Sequence, residues 1–315
     1  MGNQNMTRIH ILFSTLGLSA GLAFANQATA ESFQDCNDCP EMVRVPSGTA
    51  ILGSEPWVAN RKGGDGPIRE VTIAYTLAVA KTETTRAQYR AFIETTGYRT
   101  INEPGREGCN TWTFDLILGF IRDHDWDAPG YNQREDHPVV CVSGIDAEAY
   151  AAWLAKTTGK PYRLLSSTEY EYATRAGTRG PWYWGTYSSD ACANANVADT
   201  TFRRLYDYAP VFACDDGQER TAPVGSYNAN PWGLHDMLGN AWEWTADCTH
   251  ADMNQAPVDG SAWRGEDDGD CTKRVPRGGS WASGTDWVRA AAQASDGALY
   301  HSQLLGFRVS LTVEN

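Results

Sequence analysis

The 315-residue chain is short of positive charge: 26 lysines and arginines stand against 39 aspartates and glutamates, a formal net charge of −13. A surface of that sign repels phosphate backbones and anionic membranes, so nucleic acid is not an expected partner. Histidine is scarce too. Beyond residue 30 there are His124, His137, His235, His250 and His301, and no two stand in H-x-x-H or H-x-x-x-H spacing. That removes the usual way of setting two imidazoles on one helix face around a metal. No Ser-His-Asp order, nucleotide-binding loop or pair of acid/base carboxylates stands out. No internal repeat and no linker is visible, which predicts one domain.

Residues 1–30 differ from the rest. Arg8 supplies a small positive start, Ile9 to Phe24 is largely apolar, and Ala28-Thr29-Ala30 is an A-x-A cleavage pattern. This predicts a secretory signal peptide cleaved after about Ala30, and hence a periplasmic or secreted protein. The apolar stretch is short for a membrane span and no cysteine follows it, so membrane insertion is not expected. Residues 31–40 then read as a Cys-bearing leader and residues 41–313 as the domain. The eight cysteines all lie beyond residue 30, and an even count in an exported chain argues for disulfides. Short loop closure favours Cys36 with Cys39, Cys109 with Cys141, Cys192 with Cys214, and Cys248 with Cys271, although spacing alone leaves other connectivities open. A zinc site is the competing idea, but only Cys36 and Cys39 have CxxC spacing.

Met42 to Gly53 alternates like a strand and is broken by Pro46 and Gly48. Val71, Ile73, Tyr75, Leu77 and Val79 alternate as one half-buried strand. Three helices carry recognisable ends. Thr84 or Thr85 caps the first, with Tyr89, Phe92 and Ile93 on one face and Gly97 as its stop. Asp146 caps the second, with Tyr150, Trp153 and Leu154 inward and Gly159 closing it. Ser166 with Glu169 opens the third, and Gly177 ends it. From about residue 178 the chain turns rich in Gly, Trp, Asn and Asp, with no long periodic segment. Seven of its 12 tryptophans lie between Trp182 and Trp281, which predicts aromatic packing under irregular loops. Such loops leave many carbonyls unpaired, and bound cations or disulfides are the usual remedy.

Several blocks in order resemble the formylglycine-generating enzyme (sulfatase-modifying factor) family. They are Met42-Val43-x-Val45-Pro46-x-Gly48, Glu83 to Ala87, His137-Pro138-Val139, Glu169 to Ala173, and Gly239-Asn240-Ala241-Trp242-Glu243-Trp244. Arg277-Gly278-Gly279-Ser280-Trp281 and Gly306-Phe307-Arg308 close the set. The resemblance implies an α+β, C-type-lectin-like fold with little regular structure and two structural calcium ions. The first would take the side chains of Asp236 and Glu243 with the carbonyls of Gly239 and Ala241. The second would take Asn196 and Asp216 with the carbonyls of Val197 and Gln218.

In the family's oxidases two cysteines after the Gly-Gly-Ser hold copper and do the chemistry; here those positions read Ser283 and Val288. A hydroxyl is a hard, protonated donor and valine offers none, so copper is not expected. Trp242 and Ser280 match positions lining the family's cavity, either as a retained pocket or as packing alone. Tyr300 and His301 lie between the closing motifs, where His301 either reaches the pocket or stands exposed. The favoured role is a ligand-binding or accessory module whose recognition surface is Ala282 to Leu305, with Trp287, Arg289, Tyr300 and His301 as contacts; its ligand, protein or small molecule, is not named by the sequence. A periplasmic maturation enzyme, as in siderophore chromophore formation, is the alternative. Residual formylglycine-generating activity on sulfatases would require a redeployed cysteine such as Cys141 or Cys248.

Overall fold

The computed structural model describes residues 1–2, 31–56, 58, 61, 65–100, 108–112, 118–206 and 211–313. Apart from residues 1–2, the expected signal segment lies outside the described residues. No helix among the described residues is long and apolar enough to cross a membrane.

The first half of the domain alternates short strands with helices. It runs β1 (Ser32–Gln34), β2 (Glu41–Val45), β3 (Gly48–Leu52), β4 (Arg69–Ile73), β5 (Thr76–Ala80), α1 (Arg86–Thr96), β6 (Cys109–Trp112), β7 (Leu118–Ile121), α2 (Gly144–Thr158), β8 (Tyr162–Leu164) and α3 (Ser167–Arg175). The second half holds α4 (Ala191–Asn194), α5 (Thr200–Tyr206), β9 (Trp242–Thr249), β10 (Asp270–Arg277), β11 (Asp296–Gly297), β12 (Leu305–Gly306) and β13 (Val309–Val313). A five-stranded sheet has the order β1-β2-β5-β13-β8 with every pair antiparallel. A second sheet runs β11-β10-β9-β12, and β3-β4 and β6-β7 are separate hairpin pairs. The leader is part of the frame, because its residues 32–34 pair with Glu41, Met42 and Val43 of β2.

The run from Val71 to Val79 is two strands in different sheets, broken at Ala74 and Tyr75. β5 is also covered on both faces rather than half-buried. Ala78 and Ala80 face a cluster containing Tyr89, Tyr150, Leu154 and Phe307, while Leu77 and Val79 face Val71, Ile73, Tyr170 and Leu234. A strand central to a sheet covered on both faces needs apolar residues at every position, so period-two polarity is lost.

The three expected helices form. Thr85 caps α1 in a capping box with Gln88, and Gly97 ends it in the left-handed conformation. On α2 the cap is Ser143, three residues before the expected Asp146, which instead supplies the reciprocal carboxylate of the box. Both residues are good cap formers, and the Ser-x-x-Asp spacing decides between them. On α3 Ser166 and Glu169 make the box, and Ala176, just before Gly177, takes the left-handed position. The stretch after residue 178 is more regular than its composition suggests, since β9 and β10 each span eight residues. All four expected disulfides are formed, Cys36–Cys39, Cys109–Cys141, Cys192–Cys214 and Cys248–Cys271, and no cysteine is free.

Candidate functional site

β10 ends at Arg277, and the chain turns through Gly278 and Gly279, whose φ values of +93° and +81° disfavour any side chain. A Cβ at Gly278 would come within 2.6 Å of the Tyr170 hydroxyl, and one at Gly279 within 2.9 Å of Val288 Cγ2 and 3.4 Å of Ser283 Cβ. Ser283 and Val288 therefore flank the same glycine. The Ser280 amide donates to Ser283 Oγ at 3.0 Å, and the two serine hydroxyls lie 3.1 Å apart. Val288 is fully buried among Trp182, Leu238 and Phe212, and the Trp182 indole donates to its carbonyl. The position thus holds a partnered hydroxyl pair beside methyl groups, with no thiolate within the chain to add, since every cysteine is paired.

Trp242 and Trp287, both partly exposed, meet edge to face beside this turn with ring centroids 5.7 Å apart. Arg289 is not a surface contact. It is buried, paired with Asp65 at 2.6 Å, and donates to the Asp286 carbonyl. His301 is not exposed either: its Nε2 lies 3.1 Å from Asp146 Oδ2 and its carbonyl accepts from the Asn110 backbone and side chain. Both were drawn inward for the same reason, a buried carboxylate that needed a partner. Tyr300 is half-buried against the core cluster that holds Tyr89 and Phe307.

The expected calcium residues fall in two clusters. Asp216 accepts from the amides of Val197 at 2.8 Å and Gln218 at 2.9 Å, so three of the four residues of one set are adjacent. Asn196 is close by. Its side-chain nitrogen donates to the Arg220 carbonyl and to Asn240 Oδ1, which fixes the amide orientation. Asn196 Oδ1 is then buried with no hydrogen-bond partner. Burial, with Asp199 and Asp215 nearby, pushes the Asp216 carboxyl up to about 7. The sequence reading missed Asp199, whose carboxylate lies within 4.8 Å of that of Asp216 and accepts from the Asp216 amide at 2.7 Å. Cys192 is in the same group, but its sulfur belongs to the disulfide with Cys214.

The other set is only partly assembled as expected. Glu243 is fully buried and both of its oxygens are engaged by Arg308, at 2.6 and 2.8 Å, with the Tyr170 hydroxyl at 3.0 Å. A guanidinium therefore takes the place expected of a cation on Glu243. Asp236 accepts from the Gly225 amide through Oδ2, while its Oδ1 is buried without a partner. Glu83, not picked as a ligand from sequence, accepts from the Ala241 amide and the Asn240 side chain. Burial pushes the carboxyls of Glu83, Asp236 and Glu243 upward, with repulsion from neighbouring carboxylates adding at Glu83 and Glu243, against the pull of Arg308 and of hydrogen bonds from Asn240, the Gly225 amide and Tyr170. Orphaned, buried oxygens at Asn196 and Asp236 fit hard divalent cations, with Asp236 fitting better than Glu243. Glu83 was legible only as a motif residue, because nothing in spacing joins position 83 to positions 236–243.

Comparison with known proteins agrees with this geometry. A formylglycine-generating enzyme from Thermomonospora curvata is 32% identical over 268 residues, 76% of this chain and 82% of the relative. The bovine protein named inactive C-alpha-formylglycine-generating enzyme 2 is 28% identical over 257 residues, 74% of this chain and 80% of its own length. Among solved structures, PvdO from Pseudomonas aeruginosa superposes with a TM-score of 0.73 at 34% identity, over 90% of this chain and 99% of that one. The model of the sulfatase-modifying factor enzyme 1-like domain matches residues 27–313, and the chain therefore belongs to the formylglycine-generating enzyme family, with its α+β, C-type-lectin-like fold.

Proposed function

We propose that this chain is an exported, calcium-braced family member without copper-thiolate oxidase activity, acting as a ligand-binding or accessory module through residues 282–305. The observation that carries the reading is the pair Ser283 and Val288 at the copper positions, one hydroxyl already hydrogen-bonded and one valine sealed in the core. A hydroxyl and a methyl group supply no soft donor for Cu(I). A relative that bears the name of an inactive enzyme supports a family member of this kind. The residues that would hold calcium are Asn196, Val197, Asp216 and Gln218 in one place, joined by Asp199. In the other they are Asp236, Gly239 and Ala241, where calcium would have to compete with Arg308 for Glu243. Calcium there is structural and stabilises by binding the folded state alone. Copper or iron at stoichiometric level after incubation with Cu(I) and Ca²⁺, read by elemental mass spectrometry, would sink the proposal; about two calcium ions with neither metal is the expected result.

A second reading, a periplasmic maturation enzyme of the siderophore type, is favoured by one observation: Trp242 and Trp287 stay partly exposed beside the Ser280–Ser283 turn. Neighbouring genes for peptide synthetases and siderophore exporters would move the assignment there. The disulfides of Cys141 to Cys109 and of Cys248 to Cys271 argue against sulfatase activation through either redeployed cysteine.

A further inference from the structure

A cavity of about 240 Å³ opens between the start of α3, the end of β9 and the segment after Trp287. At ~30 Å³ per water molecule this is room for roughly eight waters, or one small metabolite. Arg69, at the start of β4, lines it. Its guanidinium makes one hydrogen bond among the described residues, from Nη2 to Thr168 Oγ1 at 3.1 Å, and its Nε is buried with no partner.

The surrounding charges do not answer this arginine. Glu171 is the acid that acts on it most strongly, yet its oxygens are taken by the Gly53 amide, by Arg175 at 2.8 Å and by Arg277 at 3.0 Å. Asp247, on the cavity wall, accepts from the amides of Ser167 and Trp263. Three guanidinium groups thus face two carboxylates, and Arg69 is the one that makes no ion pair among the described residues. Burial, with Arg277 nearby, holds its pKa below the usual arginine range even though Glu171 and Asp247 act in the opposite direction.

The wall is mixed, with Ser167, Thr168, Asp247, Thr249, Gln293 and Ser295 beside an aromatic part. His250 stacks on Trp263 with ring centroids 3.5 Å apart, and Trp287 closes another side. We infer that this cavity binds a small planar carboxylate, its carboxylate held by Arg69 and its flat body resting against the aromatic wall. A guanidinium and a carboxylate match as two parallel hydrogen bonds and balance one charge with one. A phosphate dianion would leave excess negative charge next to Asp247. The inference rests on the binding reading of residues 282–305, since Trp287, Gln293, Ala294 and Ser295 of that segment line the cavity. It gives that reading a ligand class.

The test is calorimetric titration of the purified full chain with benzoate, with benzamide as the uncharged counterpart and inorganic phosphate as the second anion. Benzoate should bind saturably, and benzamide and phosphate at least about tenfold more weakly. Arg69→Met should weaken benzoate by at least about tenfold. Ser295→Phe, at an exposed position on the rim, should block entry while leaving Arg69 in place. Arg134→Met, on an exposed arginine elsewhere, should change nothing. Absence of benzoate binding, a preference for phosphate, or unaltered benzoate binding in both Arg69→Met and Ser295→Phe would overturn the inference. Benzamide binding as well as benzoate would overturn it while leaving the binding reading intact; stoichiometric copper would overturn the reading and not the titration.

Discussion

Asp247 is a carboxylate held in the interior by two backbone amides, those of Ser167 at 2.8 Å and Trp263 at 3.2 Å. Two such bonds do not offset its burial, which pushes the carboxyl up to about 6. The folded value lies above the unfolded value of about 3.9, so the folded chain holds this proton more tightly. The corresponding stability is fully present below about pH 4 and is lost as pH rises through about 6, on the order of 3 kcal/mol. Urea unfolding at pH 4, 5, 6 and 7 should show the decline in the wild type and a flatter profile in Asp247→Asn; equal slopes would assign the effect elsewhere. Single residues were legible where chemistry is local to them. The Ser283 and Val288 replacements needed no coordinates, and short loop closure found all four disulfides. Arg289 and His301 were not legible, because their partners Asp65 and Asp146 lie more than 150 residues away in sequence.

Capping at the element scale ties the helices to the site. Ser143 Oγ accepts from the Asp146 amide and donates to Asp146 Oδ2, while Asp146 also takes the Tyr98 hydroxyl and faces His301. Ser143→Ala should destabilise the chain by about 1–2 kcal/mol, read from the urea midpoint, because it removes both a cap and a partner of a buried carboxylate. Threonine at the same position should recover most of the loss. Helices were readable because the two members of each capping box, Thr85 with Gln88, Ser143 with Asp146 and Ser166 with Glu169, are close neighbours in sequence. β9 and β10 were not, since β9 carries Trp, Glu, Thr and Asp in a nearly buried row whose partners come from elsewhere in the fold. Glu243 on β9 is satisfied by Arg308, just ahead of β13, a pairing that no local pattern announces.

For the molecule as a whole, one cross-link stands where regular structure is thin. Cys192–Cys214 closes the loop that carries Asn196, Asp199 and the approach to Asp216. Replacing both cysteines by serine should cost about 3 kcal/mol and, if the proposed calcium site is filled, weaken its calcium binding as well. Unfolding curves with and without calcium would separate these effects, and an unchanged calcium response would mean that the loop is ordered without its cross-link. The position of β13 carries a different consequence. It lies between β5 and β8, so the sheet that begins with β1 and β2 has a gap until residues 309–313 arrive. Synthesis therefore leaves the exposed edge of β5 waiting for a partner made some 230 residues later in the chain. Such distant pairing closes slowly. A ribosome paused before residue 309 should hold a chain whose β5 amides still exchange with water, while a chain extended through residue 313 and a linker should protect them.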